Sequence, residues 1–126
     1  MRVLLDTRAL LWAVARVNEL PSRVRALLED GANDAYVSAA STWEIALETR
    51  LGKLELDLDE LMSELRALGF NELRVSFEHT RRAGKLPALH DDAFARLLVA
   101  QALEEGLTLV TADSTLSAYS VPTFWE

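Results

Sequence analysis

Short apolar runs alternate along this chain with segments whose apolar residues recur at helical spacing. The runs at residues 3–5, 35–38 and 107–111 are too short for helices, and a helical pattern follows each of them. This alternation is typical of α/β proteins, in which helices cover both faces of a mainly parallel sheet. We therefore expect an α/β fold. Its last strand, at residues 121–124, contains Pro122 and is expected at a sheet edge.

Length and composition narrow the class of protein. The 126 residues predict one domain, 1–126, with a core large enough to fold without disulfides or structural metals. The absence of cysteine excludes disulfides, zinc-thiolate sites and thiol nucleophiles. No apolar run approaches the roughly 18 residues that span a bilayer. We expect a soluble, cytoplasmic protein with no membrane partner.

The charge balance argues against broad electrostatic capture of nucleic acid. The net charge is −7, whereas that mode of binding needs many lysines and arginines. A local basic rim remains compatible with this charge. Its candidates are more simply interpreted as solvated helix ends; they are Arg50, Lys53, Arg81, Arg82 and Lys85.

Three acidic side chains lie just beyond the expected strands. Asp6 closes the first apolar run, Asp113 follows the run at residues 107–111, and Glu44 lies shortly after the run at residues 35–38. In a parallel sheet the carboxyl ends of the strands meet at one edge, so these acids are expected to converge. Converging carboxylates repel one another unless a hard cation such as Mg²⁺ or Mn²⁺ lies among them. Such ions act most often on phosphate esters.

Each acid also has a purely structural explanation. Asp6 and Asp113 both precede helical patterns and suit N-caps. Ser41 or Thr42 could cap the helix that carries Glu44, and Glu44 stands three residues after Ser41, the spacing of a capping box. Asp92 is interpreted as a cap of the next helix. Taken together, three acids at one edge of the sheet favour a site over three independent caps.

The histidines and tryptophans have simple interpretations. His79 and His90 are expected to be exposed side chains without a role in a site. Trp12, Trp43 and Trp125 are expected in the core rather than as stacking platforms. Other α/β functions find no support, because Arg8 stands where a haloacid-dehalogenase phosphatase needs an acid and no glycine-rich turn follows the first strand. A response-regulator receiver would also need a late lysine where the chain has Asp113.

Several segments, in this order, resemble those of PIN-domain ribonucleases, and within that superfamily the VapC toxins of type II toxin-antitoxin systems. The resemblance runs through nearly the whole chain, and the ordered set is more specific than any one segment. The segments are Leu4-Leu5-Asp6-Thr7, Ser38-Ala39-Ala40-Ser41-Thr42-Trp43-Glu44-Ile45-Ala46, Leu51-Gly52-Lys53-Leu54, Leu86-Pro87 with Leu89-His90, Arg96-Leu97-Leu98-Val99-Ala100-Gln101-Ala102 and Leu109-Val110-Thr111-Ala112-Asp113.

The resemblance implies a PIN-like three-layer α/β/α sandwich and an endoribonuclease that uses Mg²⁺ or Mn²⁺ to cleave RNA such as tRNA or rRNA. It also implies a homodimer and a VapB-type antitoxin, through which operator DNA is contacted only indirectly. By position, Asp6, Glu44 and Asp113 would be the catalytic, metal-ligating acids. Thr7 and Ser41 would support them through hydroxyl hydrogen bonds.

One departure from the family pattern affects function directly. Relatives commonly read His-x-Asp-Pro-Phe-Asp-Arg, and this chain reads His90-Asp91-Asp92-Ala93-Phe94-Ala95-Arg96, so the family's catalytic acid falls on Ala95. Alanine offers no ligand, and losing one acid weakens divalent binding. We expect reduced or lost turnover. The alternative is a catalytically inactive PIN domain that binds antitoxin or RNA.

Overall fold

A five-stranded, all-parallel sheet forms the centre of the computed structural model, which describes residues 1–126. The strand order is β3-β2-β1-β4-β5, and every neighbouring pair is parallel. The α/β prediction is thereby confirmed, and β5, which contains no more than two residues, lies at the edge. The strands are β1 (Arg2–Leu5), β2 (Asp34–Ser38), β3 (Asn71–Leu73), β4 (Thr108–Val110) and β5 (Thr123–Phe124).

Helices connect the strands and cover both faces of the sheet. They are α1 (Thr7–Ala15), α2 (Ser22–Glu29), α3 (Ala39–Arg50), α4 (Leu58–Ala67), α5 (Phe77–Lys85) and α6 (Ala93–Glu105), with 3₁₀ turns at Val17–Glu19 and Ser114–Tyr119. Gly106 ends α6 in the left-handed region at φ 68°, which glycine adopts without the strain of a side chain.

Alternating side chains of β1 divide the core between the two faces of the sheet. Val3 and Leu5 join a cluster with residues of α1, α2 and α4, whereas Leu4 joins a second cluster with residues of α6 and β4. Val3, Leu4 and Leu5 are all fully buried, as expected for the central strand of a parallel sheet. Two clusters on opposite faces make the three-layer α/β/α sandwich that the resemblance implied.

The start of α3 differs from the sequence prediction. The helix begins at Ala39, and the Ser38 hydroxyl accepts a hydrogen bond from the Ala40 N–H at 3.0 Å. Ser38 is therefore the N-cap, and both the cap predicted at Ser41 or Thr42 and the predicted capping box of Ser41 and Glu44 are wrong. Ser41 is fully buried inside the first turn, and its hydroxyl has no hydrogen-bond partner.

Two side chains lie in environments opposite to those expected. His79 was expected to be exposed, but it is 2% exposed and hydrogen-bonds Ser76, Gln101 and Glu105. Trp43 was expected in the core, but it is 58% exposed on α3. The remaining tryptophans are half-buried, and their rings pack against each other at 5.8 Å.

Each helix falls short of the length or the apolar content that a membrane crossing requires.

Candidate active site

The strand order places a cleft at the carboxyl edge of the sheet. The chain runs from β1 outward to β2 and β3, then returns to the other side of β1 as β4. In open α/β sheets, ligands bind at such a reversal, beyond the carboxyl ends of the two strands concerned. A cleft of about 630 Å³ lies here, and Asp6, Glu44 and Asp113 all line it. The structure therefore brings the three acids predicted from the sequence to one cavity.

Asp6 occupies the junction between β1 and α1. Its backbone N–H donates to the Val110 carbonyl of β4 at 3.0 Å, and its Oδ1 accepts from the Ala9 N–H at 2.8 Å, so it caps α1. Burial raises the pKa of Asp6; the Thr111 side chain, the Ala9 N–H and the charge of Arg8 oppose this shift, and the charge of Asp113 adds to it. Burial thus disfavours the ionised form of Asp6, and a bound cation would favour it.

Glu44 reaches the cleft from the first half of α3. Its Oε1 accepts a hydrogen bond from the Thr7 hydroxyl at 2.6 Å, which confirms the supporting role predicted for Thr7. Burial raises the pKa of Glu44; the Thr7 bond opposes this shift, and the charges of Asp92, Glu48 and Asp6 add to it. No corresponding contact exists for the Ser41 hydroxyl, so the support predicted from that residue is wrong.

Asp113 is held by partners on both of its oxygens. Oδ1 accepts from the N–H and the hydroxyl of Thr115, and Oδ2 lies 3.1 Å from His90 Nε2. His90 Nδ1 accepts from the Asp92 N–H at 3.1 Å, so the neutral ring carries its proton on Nε2 and donates to Asp113. The Thr115 hydroxyl, followed by the Thr115 N–H and His90, lowers the pKa of Asp113 against a smaller opposing effect of burial.

Position 95 lies at the same cleft. Ala95 lines the cavity in the first turn of α6, so a carboxylate there would face the other acids. Asp92 accepts hydrogen bonds from the Phe94 and Ala95 N–H groups, which confirms its predicted role as the cap of α6. Asp92 also lines the cleft, and its charge raises the pKa of Glu44.

The chemistry of these donors fits a hard divalent cation. Carboxylate oxygens are the ligands that Mg²⁺ and Mn²⁺ prefer, and the raised pKa values of Asp6 and Glu44, caused mainly by burial and to a smaller extent by neighbouring acids, agree with a site that favours a compensating cation. No three His, Asp or Glu side chains are close enough together to enclose an ion directly. The arrangement suits Mg²⁺ held by one or two carboxylates, because this ion usually keeps several waters.

Sequence reasoning missed several residues of the cleft. His90 was expected to be exposed, but it is half-buried and bonded to Asp113, a contact across 23 positions that no local pattern signals. Glu48 and Arg8 also line the cleft, as does Trp12. Glu48 follows Glu44 by four residues on α3, so helical spacing could have placed both on one face.

The basic residues considered as a rim do not line this cleft. Three of them, Arg81, Arg82 and Lys85, border a separate depression of about 410 Å³ together with Glu104. The sequence interpretation of these residues as solvated helix ends agrees with that placement. Arg82 pairs with Glu104 at 2.8 Å.

The fold and the acid-lined cleft define a class of protein, and comparison with known families agrees. The sequence matches the PIN domain family over residues 3–122, and the chain belongs to that family. It is 40% identical over 81 residues to Ribonuclease VapC16 from Mycobacterium tuberculosis (strain ATCC 25618 / H37Rv), covering 60% of this chain and 55% of that protein. The match thus spans about half the length of that curated relative.

Solved structures share the whole fold at low sequence identity. VapBC2 from Rickettsia felis, bound to a DNA fragment from its promoter, matches with a TM-score of 0.72 and 19% identity over 100% of both chains. FitAcB from Neisseria gonorrhoeae matches with a TM-score of 0.67 and 22% identity over 98% of this chain and 96% of that chain. VapBC-1 from nontypeable Haemophilus influenzae matches with a TM-score of 0.68 and 16% identity over 98% of this chain and 97% of that chain. These likenesses support the PIN fold predicted from the sequence.

Proposed function

We propose that this protein is a VapC-like, metal-dependent endoribonuclease toxin whose turnover is impaired by alanine at position 95. The observation that carries the proposal is the convergence of Asp6, Glu44 and Asp113 on one cleft at the carboxyl edge of β1 and β4. Membership of the PIN family and the similarity to Ribonuclease VapC16 support the same activity. The substrate class is RNA, such as tRNA or rRNA.

The three acids form one metal site in this proposal. Asp6 and Asp113 flank the reversal of strand order and would hold Mg²⁺ or Mn²⁺ directly, and Glu44, the third metal-site acid, would contact the ion through one of the waters that it keeps. When bound, such an ion supplies a nucleophilic water near neutral pH and offsets charge on the phosphate oxygens. The chain itself fixes the carboxylates: Thr7 orients Glu44, while Thr115 and His90 orient Asp113.

Ala95 explains why turnover is expected to be low. Its side chain lines the cleft but offers no oxygen that could bind a metal ion, so the site has one acid fewer than the family pattern. A carboxylate at position 95 would add a cation ligand or orient water from the first turn of α6. Losing it lowers both the affinity for a divalent ion and the rate of the hydrolytic step.

The proposed partners follow from the same relatives. The VapBC complexes among the structural neighbours support a VapB-type antitoxin that covers the cleft. Operator DNA would then be contacted only indirectly, through that antitoxin. We further propose a homodimer, as the family resemblance implies.

A second candidate function rests on the same alanine. With Ala95 in place, the cleft could serve a catalytically inactive PIN domain that binds an antitoxin or RNA without cleaving it. Such a protein would keep its binding surface while losing turnover. The two functions differ in whether a carboxylate at position 95 restores cleavage.

Restoring the acid is the decisive experiment. We expect Ala95→Asp to cleave structured RNAs with Mn²⁺ at least tenfold faster than the unchanged chain, and EDTA to abolish the difference. The double variant Ala95→Asp with Asp6→Asn is the matched control and should lose the gain. It keeps the α1 cap, because asparagine caps as well as aspartate.

The outcomes separate the two candidates. Cleavage by Ala95→Asp that depends on both Mn²⁺ and Asp6 supports the nuclease. Negligible cleavage by both forms across tRNA and rRNA would refute it. RNA or antitoxin binding that persists in the absence of cleavage would then favour the binding protein.

A further inference from the structure

Arg8 is an isolated cation at the edge of an acidic cleft. It is the only lysine or arginine that lines the cavity, and the other charged lining residues are acidic. They are Asp6, Glu44, Glu48, Asp92 and Asp113. A metal ion can neutralise these acids, but an incoming RNA also brings negative charge of its own. The cleft offers a single side chain with a permanent positive charge to meet it.

Folding does not account for an arginine at this position. Arg8 lies in the first turn of α1, where the helix dipole disfavours positive charge. Its guanidinium neither donates a hydrogen bond within the chain nor forms an ion pair, in spite of the acids nearby. Its carbon lies 5.9 Å from the centre of the Trp12 ring. This contact restrains the group while leaving its N–H donors available.

We propose that Arg8 binds a backbone phosphate of single-stranded RNA beside the metal-site acids. This inference rests on the proposed nuclease function and identifies the residue that holds the substrate. The planar fork of a guanidinium matches two phosphate oxygens, and Arg8 is only two residues from Asp6. The guanidinium lies over the Trp12 ring, and both side chains line the cleft.

The rival explanation is that Arg8 serves only as a counter-ion inside the site. Its charge does lower the pKa of Asp6, against the larger effect of burial. A counter-ion would influence Asp6 but would not change how RNA binding depends on salt. A phosphate contact would change that dependence, because each contact with single-stranded nucleic acid contributes about 0.7 to the slope of log K against log salt.

The experiment measures binding rather than cleavage. The probe is a fluorescent 2′-O-methyl oligonucleotide of mixed sequence, titrated with the full chain in Ca²⁺ over a series of KCl concentrations, with intact probe verified on a gel. We expect Arg8→Gln to weaken binding several-fold and to reduce the slope by about 0.7. Arg8→Lys keeps the charge and should retain the slope.

Arg16→Gln is the matched control. Arg16 caps the opposite end of α1, is exposed and does not line the cleft, and the substitution changes the net charge by the same amount. It should leave affinity and slope unchanged. Circular dichroism of each variant verifies that the fold is intact.

Each result decides the inference. An Arg8→Gln slope equal to that of the unchanged chain overturns the phosphate role, as does an equal loss in Arg16→Gln. If Arg8→Gln weakens binding of a VapB-type antitoxin but not of RNA, Arg8 contacts that protein and the inference is wrong. Failure of the unchanged chain to bind the oligonucleotide at all instead counts against the nuclease function itself.

Discussion

Replacing Arg96 with methionine should destabilise the fold more than the same replacement of Arg82. The Arg96 guanidinium donates to the carbonyl oxygens of Ala83, Leu86 and Pro87 at 2.9, 3.0 and 2.9 Å, and to the Tyr119 hydroxyl at 3.3 Å. These bonds tie the C-terminal end of α5 and the following loop to α6. Methionine preserves most of the apolar stem and removes every donor.

The magnitude follows from which acceptors can reach water. The Pro87 bond is exposed, so water can replace it, and the Tyr119 contact is long. The bonds to Ala83 and Leu86 are partly buried and well formed. At about 1.5 kcal/mol for each of these charge-assisted bonds, the loss in free energy of unfolding is roughly 3 kcal/mol. For a chain of this size that corresponds to a fall in Tm of about 10 °C.

Urea unfolding followed by circular dichroism tests this estimate, with Arg82→Met as the control. Arg82 pairs with Glu104 at 2.8 Å, but the two side chains are 42% and 35% exposed. A pair of that kind contributes less than about 1 kcal/mol. If the two variants lose the same free energy of unfolding, the hydrogen bonds of Arg96 do not hold the loop and the reasoning is wrong.

Three further substitutions test the site and the start of α3. Asp6→Asn should raise the urea midpoint of the metal-free protein at neutral pH, because burial raises the pKa of Asp6 and its ionised form is unfavourable in the fold. The stability cost of Asp6 appears as the pH rises from its unfolded pKa of 3.8 through its raised folded pKa, so the gain should vanish in acid; unfolding in EDTA across pH measures it. Ser38→Ala should cost about 1 kcal/mol of unfolding free energy, because it removes the cap on the Ala40 N–H, whereas Ser41→Ala should be nearly neutral in the same urea assay. Equal effects of the two serine substitutions would contradict the observed start of the helix.

The sequence was sufficient to predict the sheet and the convergence of the acids, for a physical reason. Parallel strands end at one edge, so an acid directly after each strand has little freedom in where it lies. Asp6 directly follows β1, and Asp113 lies a few residues after β4. These two strands are neighbours in the sheet. The register of the sheet then brings the residues together almost irrespective of the helices.

Side-chain contacts between distant segments could not be predicted in this way. His79 is buried because Gln101 and Glu105 of α6 meet it across the α5–α6 packing. His90 is held by Asp113. Nothing local distinguishes either residue from an exposed histidine, since the contacts of His79 depend on how α5 packs against α6 and the contact of His90 depends on where the loop before α6 meets the residues after β4.

The predicted start of α3 was wrong for a different reason. Ser38 and Ser41 are both good N-cap residues, and local propensity does not choose between them. The choice depends on where β2 stops: Ser38 is the last residue of that strand and is already fixed by its pairing with Leu73. Pairing in the sheet therefore decides a helix boundary that the helix sequence leaves open.

The site acids also differ in what their presence implies. Asp6 caps α1 and Asp113 caps the 3₁₀ turn, so folding alone would favour an acid at both positions. Glu44 caps nothing: it is half-buried, its pKa is raised mainly by burial, and its one hydrogen bond comes from Thr7 of another helix. A carboxylate at position 95 would be equally unnecessary for folding, because Asp92 already caps α6. Glu44, which folding does not require, is consequently the acid whose presence in this chain argues most strongly for a cation-binding role.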